Sequence, residues 1–169
     1  KIIKFSLLII LKFLYLIFII MANSLSYFLN NKVQIKKQKY SLIIGSNPSS
    51  GAKSPKLWNK VFMSQNSKIR MFPADVSNKN LKDLINLLKK DKKFIGGSVT
   101  VPYKEKVIKY LDYIDEISKK IGAVNTILKK KEKLIGINTD YNGFTKTILK
   151  IKIKKTDKIL ILGCGGVGK

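Results

Sequence analysis

The stretch Phe94-Ile95-Gly96-Gly97-Ser98-Val99-Thr100-Val101-Pro102-Tyr103-Lys104 decides the class of the fold. Phe94–Val101 is a short apolar run of strand length, and Pro102, whose ring already fixes a helical φ, starts a helix toward Tyr110. Strand, break and helix form the unit from which α/β domains are built. Upstream the unit recurs. Ser41–Gly45 reads as a first strand, and after a Ser/Gly/Pro loop Ser54-Pro55 opens a helix running to about Gln65, with Ser54 as N-cap and Pro55 at the first helical position. A second strand near Lys68–Phe72 precedes a helix in which Leu81, Leu84, Ile85, Leu87 and Leu88 share one apolar face. Downstream, a helical stretch spans about Ile114–Ile121. Strands at Ala123–Leu128 and Lys133–Ile137 then flank the turn Lys129–Glu132, residues 141–151 read as a helix, and Lys158–Leu162 is a new apolar strand. The pattern is α/β, with no internal repeat.

With 169 residues, 45% of them hydrophobic, the chain has material for one compact core and little more, which excludes a disordered polymer. A net charge of +24 would attract polyanions, but of the 34 basic residues only Arg70 is arginine. The lysines are spread along the chain, as in Leu88-Lys89-Lys90-Asp91-Lys92-Lys93, whereas readers of phosphate and bases lean on the bidentate guanidinium fork. The charge is read as a lysine-biased composition, and no nucleic-acid partner is expected. Cys164 is the single cysteine and histidine is absent, so neither an internal disulfide nor a zinc site of the usual spacing is expected. A reducing cytoplasm is the natural location. Without histidine, proton transfer must fall to Lys, Asp, Glu or Tyr.

Residues 2–21 are nearly long enough to cross a bilayer but are interrupted by Lys4 and Lys12. Three readings stay open: a membrane anchor, an uncleaved signal-like segment, or sequence upstream of a true start at Met21. The lack of a methionine at position 1 favours the last, so residues 1–20 are set apart and no membrane partner is expected.

At the other end, Ile159-Leu160-Ile161-Leu162 runs directly into Gly163-Cys164-Gly165-Gly166-Val167-Gly168. Gly163, Gly165, Gly166 and Gly168 have the placement of a dinucleotide loop, where glycines let the backbone approach a pyrophosphate at a helix N-terminus. A plain glycine-rich turn is the alternative, because the helix that should follow is not in the sequence. The residue that reads the ribose, about 20 positions further on, is also missing, which leaves NAD and NADP both open.

Four segments precede that loop: Ser54-Pro55-Lys56-Leu57-Trp58-Asn59, Gly97 to Lys104, Gly122-Ala123-Val124-Asn125-Thr126, and Gly136-Ile137-Asn138-Thr139-Asp140-Tyr141-Asn142-Gly143-Phe144. Together with the glycine loop, and in this order, they resemble the shikimate dehydrogenase family over roughly residues 40–169. The resemblance implies a mixed-sheet, three-layer substrate-binding domain over 40–150, followed over 156–169 by the first strand and glycine loop of a truncated Rossmann domain. It implies reversible, NADP-linked reduction of 3-dehydroshikimate to shikimate in aromatic amino-acid biosynthesis, with NAD as the alternative cofactor, by a monomer or homodimer. On this resemblance Lys104 and Asp140 match the catalytic pair. Ser54, Thr100, Lys104, Asn125 and Asp140 fall on substrate-binding positions, and Gly163, Gly165, Gly166 and Gly168 on the cofactor loop.

The residue types suit that chemistry. Hydride transfer to a ketone builds negative charge on oxygen, which a nearby ammonium can stabilise and protonate. Outside their motifs, the same residues have plainer readings: Lys104 a solvated lysine, Asp140 and Ser54 helix N-caps, Asn125 an edge-strand amide. The sequence also departs from the family. Ala52 stands where a second serine is usual, Gly51 and Trp58 where histidines are, and Ser98 where asparagine is. One carboxylate hydrogen bond is thus expected to be lost or replaced, which keeps quinate or a related cyclic hydroxy acid open as substrate. A methylenetetrahydrofolate dehydrogenase relative shares the architecture but not these motifs. A non-catalytic binding module, with or without a membrane tether, is the alternative from another class.

Overall fold

The computed structural model describes residues 12, 14–15, 24–36, 38–151, 154, 156–160 and 163. Its elements in chain order are α1 (Leu25–Phe28), β1 (Tyr40–Gly45), a 3-10 turn (Pro48–Ser50), α2 (Ser54–Ser64), β2 (Arg70–Asp75), α3 (Leu81–Lys90) and β3 (Phe94–Val99). There follow α4 (Tyr103–Lys106), a 3-10 turn (Val107–Tyr110), β4 (Tyr113–Ile114), α5 (Glu116–Ile121), β5 (Thr126–Lys130), β6 (Lys133–Ile137) and α6 (Thr139–Ile151).

The six strands form one sheet in the order β2-β1-β3-β5-β6-β4. β1 runs parallel to both neighbours, β3 and β5 are antiparallel, β5 and β6 form an antiparallel hairpin, and β4 lies parallel to β6. The α/β class and the mixed sheet are therefore as the sequence indicates. All six residues of β1 are buried, the burial of a central parallel strand covered on both faces. α3 packs onto this sheet through Leu81, Leu84, Ile85 and Leu88, each at most 1% exposed, and a fully buried leucine contributes about 1.5–3 kcal/mol. Leu87 lies at the edge of that apolar face and packs against the core only in part.

Several boundaries differ from the sequence reading. β2 begins at Arg70 rather than Lys68 and runs through Pro73, which is tolerated because β2 is an edge strand and need not donate on its outer side. β3 ends at Val99, two residues early, where the chain turns through Thr100 to Pro102. β5 begins at Thr126, leaving Ala123–Asn125 as a connector, and Ile114 belongs to β4 instead of the following helix, which Asp115 caps by accepting from the Ser118 N–H at 3.1 Å. Ser54 is not the N-cap of α2. Lys53 already has helical dihedrals, and its carbonyl accepts the first bond, from the Leu57 N–H at 3.1 Å, which places Ser54 inside the first turn.

Residues 158–160 are in no strand, and Ile159 and Leu160 are exposed, because among the described residues no strand lies beside them to complete a ladder. Most of residues 1–20, and Gly165, Gly166 and Gly168, lie outside the described residues. Among those described, no helix is long and apolar enough to cross a membrane.

Two glycines are needed where β1 meets β3. The register slips by one residue between the pairs Tyr40↔Phe94 and Leu42↔Gly97, a bulge on β3. Gly96 takes the slip at φ +125°, a conformation L side chains rarely adopt, and a Cβ on Gly97 would run into the Leu42 carbonyl.

Candidate active site

Thr100 is the first residue after β3, and its turn is fixed by the backbone. Its N–H donates to the Ile44 carbonyl at 2.8 Å and its carbonyl accepts from the Tyr103 N–H at 2.9 Å. Tyr103, 2% exposed, buries its ring and donates its hydroxyl to the Val76 carbonyl at 2.6 Å, and burial raises the ionisation of that phenol above its ordinary range. That anchor holds the short helix α4 and with it Lys104. The Lys104 carbonyl in turn accepts from the Val124 N–H at 2.7 Å, and the Val99 N–H donates to the Asn125 carbonyl at 2.7 Å. The backbone thus brings the Thr100 turn, Lys104 and Asn125 to one end of the sheet.

From the other side comes α6. Its N-cap is Asn138, whose Oδ1 accepts from the Tyr141 N–H at 3.2 Å while its Nδ2 donates to the Ala123 carbonyl at 3.0 Å. Asp140, expected as a cap on the plain reading, is one residue inside the helix and therefore free of that duty. Its Oδ2 instead accepts from Lys104 Nζ at 2.7 Å, across 36 residues of sequence. The pair is partly shielded, with side-chain exposures of 21% for lysine and 35% for aspartate, so water still reaches it and salt weakens the attraction.

Asn125, 8% exposed, sits beside the pair in its own network. Its Oδ1 accepts from the Thr139 N–H at 2.9 Å and from the Thr126 hydroxyl at 3.0 Å, and its Nδ2 donates to the Thr139 hydroxyl at 3.0 Å. One Nδ2 hydrogen remains without a partner among the described residues. Asn125 is a buried, oriented amide and not the solvated edge residue of the plain reading.

Ser54 is not joined to this cluster by any side-chain bond. It heads α2 on the far side of the Ser46–Lys53 loop, which is tied to the Thr100 turn by the Ser46 N–H donating to the Val101 carbonyl at 3.2 Å. The same loop is latched by Asp75, 6% exposed, whose carboxylate accepts from the Ser49 N–H at 2.8 Å and from the Ser49 hydroxyl. Asn138, Thr139, Tyr103 and Asp75 escaped the sequence reading. Only Asn138 had a local signal, as a preferred N-cap type two residues before the catalytic candidate. Among the described residues no acidic or cysteine cluster could hold a metal ion.

Fold and site together define an α/β unit that presents a lysine–aspartate ion pair beside an oriented amide at one end of its sheet. The family model for the shikimate dehydrogenase substrate binding domain matches residues 43–127. The chain belongs to that family.

Similar proteins include the shikimate dehydrogenase (NADP(+)) of Carboxydothermus hydrogenoformans, 39% identical over 117 residues, which make up 69% of this chain and 41% of the relative. That of Staphylococcus epidermidis is 38% identical over 134 residues, 79% of this chain and 48% of the relative. The chain thus spans about half or less of the length of these curated relatives. Among solved structures, shikimate dehydrogenase 1 from Peptoclostridium difficile aligns with a TM-score of 0.69 at 35% identity, over 78% of this chain and 48% of that one. Shikimate 5-dehydrogenase from Thermus thermophilus, in complex with NADP(H) and shikimate, aligns with a TM-score of 0.68 at 27% identity, over 78% and 49%.

Proposed function

We propose that this chain is the substrate-binding part of a shikimate dehydrogenase, an NADP-dependent oxidoreductase that interconverts 3-dehydroshikimate and shikimate. The observation that carries the reading is the 2.7 Å contact between Lys104 Nζ and Asp140 Oδ2, formed beside Asn125 at one end of the sheet. The names of the similar proteins support the substrate and cofactor class. On this reading residues 40–150 are the substrate domain, 156–169 begin the nucleotide domain, and the enzyme works in the cytoplasm as a monomer or homodimer.

The loop meant for the cofactor fits as far as it is described. Gly163 has φ +101°, which glycine adopts without strain, and a Cβ there would meet nothing within 4 Å, as a loop approached closely by a pyrophosphate requires. Bound there, NADPH would supply the hydride for the substrate carbonyl carbon. Gly163, Gly165, Gly166 and Gly168 are the residues assigned to hold it.

The chain's own residues handle the oxygen. In the reducing direction Lys104 Nζ donates a hydrogen bond to the ketone oxygen, stabilises the charge that develops there and delivers a proton to the alkoxide. Asp140 holds the ammonium in place, so the proton donor is aimed before substrate arrives. The remaining Nδ2 hydrogen of Asn125 is assigned to a ring hydroxyl, the Thr100 side chain to the same wall, and Ser54 to the carboxylate with the altered loop at Ala52. In the reverse direction the neutral amine of Lys104 accepts the alcohol proton.

The test is turnover of shikimate with NADP by a full-length protein containing this chain. Lys104→Ala should lower turnover by about 10²- to 10⁴-fold, the range for loss of a general acid–base, with the fold intact by circular dichroism. A loss of less than tenfold would overturn the role of Lys104. A panel including quinate fixes the substrate, because Ala52 and Ser98 alter the groups on the carboxylate and hydroxyl side.

A further inference from the structure

The sheet has a second functional-looking end. The parallel strands β1, β2 and β3 start there, at Tyr40, Arg70 and Phe94, while the antiparallel β5 finishes and β6 begins there, at Lys130 and Lys133. It is the end opposite Thr100 and Lys104. The flanks of all five strands bring lysines to it, and they line two cavities. One, of about 420 Å³, is walled by Lys39, Lys90, Lys92, Lys129 and Lys131 with Glu132 as its only carboxylate, over a floor of Phe94 and Ile95. The other, of about 720 Å³, shares Lys39 and adds Lys36, Lys68 and the chain's single arginine, Arg70.

We propose that the smaller cavity is a binding site for a compact, multiply charged phosphate-type anion, held by Lys39, Lys90, Lys92 and Lys131. A volume of about 420 Å³ is roughly 9 Å across, comparable to the Debye length of about 8–10 Å at ordinary salt, so the mutual repulsion of these exposed ammonium groups is only partly screened. Of the residues that line the cavity, only Glu132 carries a charge that offsets the repulsion. None of the four donates to an acceptor among the described residues. The nearby Asp91 directs its hydrogen bonds away from these four lysines, accepting from the Tyr40 hydroxyl at 2.5 Å and from the Lys93 N–H at 2.8 Å.

Lys129 plays a different part. Its ammonium is turned inward onto the Leu88 and Asp91 carbonyls at 2.7 and 2.6 Å, fixing the wall instead of facing the ligand. Ammonium groups bind phosphate oxygens as compact point charges from several directions at once, so a ring of lysines suits a small multiply charged anion, whereas readout of a nucleic-acid backbone and its bases leans on the guanidinium fork. The dimensions of the cavity match those of a short anion. This site is independent of the dehydrogenase reading and of the Lys104–Asp140 pair.

The general positive charge of the chain is the competing explanation, and a charge-matched control separates the two. Calorimetry of the chain with sodium tripolyphosphate should show one saturable site, bound at least about tenfold more tightly than inorganic orthophosphate because more charges are neutralised per ligand. The double variant Lys39→Gln/Lys92→Gln, both exposed residues, should weaken tripolyphosphate by at least about tenfold. The double variant Lys82→Gln/Lys146→Gln removes the same charge from exposed positions on α3 and α6 outside the cavity and should change affinity less than about twofold. If the first variant does not fold, Lys90→Gln/Lys131→Gln takes its place. Equal weakening by both doubles, or several non-saturating sites, overturns the proposal. So does an RNA duplex that binds more tightly than tripolyphosphate and is lost in the same variant, which would make this a nucleic-acid surface.

Discussion

Asn138→Ala removes two restraints with one side chain: the cap on the Tyr141 N–H and the tie to the Ala123 carbonyl. The expected loss is about 1–3 kcal/mol in denaturant unfolding, since Asn138 is 3% exposed and the Ala123 carbonyl is left unpaired. Because Asp140 is carried two residues later, the same variant should raise KM for the substrate and lower kcat in the full-length enzyme, whereas an exposed α6 substitution such as Lys146→Ala should do neither. Gly97→Ala is the opposite kind of lesion, an intrusion: its methyl would strike the Leu42 carbonyl, and a loss of about 3 kcal/mol or more is expected by thermal unfolding. At this scale the motifs single out Lys104, Asp140, Thr100 and Asn125 as candidates but not the residues that support them. Tyr103 and Asp75 are ordinary residues in ordinary context, and what makes them matter, a 2.6 Å bond to Val76 and a latch on Ser49, spans distances in sequence that no local pattern encodes.

Among the elements, α3 was the most legible, because its apolar period alone fixes which face is buried. Leu84→Ala, at 0% exposure, should cost about 2–5 kcal/mol. Strand limits were less so. β2 begins at Arg70, opposite Tyr40 at the start of β1, and Asn59 on α2 holds the next residue by accepting from the Met71 N–H at 2.7 Å and donating to its carbonyl at 3.0 Å, contacts that no local pattern encodes.

The short β4 depends on a charged link. Partial burial of Asp112 works against its ionised form, but the Leu134 N–H at 2.8 Å and Lys89 at 2.9 Å prevail and hold its carboxyl below the usual range. A carboxyl lowered in the folded state stabilises the fold above its unfolded value and loses that contribution as pH falls through the folded value. Asp112→Asn should therefore lower stability at neutral pH by about 1 kcal/mol, much of the ion-pair part being screened, and the gap to the parent should close in acid.

For the molecule as a whole, Tyr40 links the lysine-lined end of the sheet to its core. Burial first, then the hydrogen bond and charge of Asp91, push its ionisation far above the ordinary value of 10.0. A group whose folded value is raised stabilises the fold below the unfolded value and loses that contribution as pH rises past it. Stability measured by denaturant should accordingly fall above about pH 10, and Tyr40→Phe should flatten that fall. An unchanged alkaline slope in the variant would assign the loss to other groups.

The hydrogen bonds that close the site end have a further consequence, in hydrogen exchange and in binding thermodynamics. The amides of Val99, Thr100 and Val124 donate to the Asn125, Ile44 and Lys104 carbonyls, bonds made wholly within the chain. They should exchange only through global opening, and a ligand that meets them finds a floor already rigid. Little conformational entropy is then surrendered on association, and on the proposed function saturating shikimate should leave the protection of these three amides nearly unchanged while slowing exchange in the Ser46–Lys53 loop.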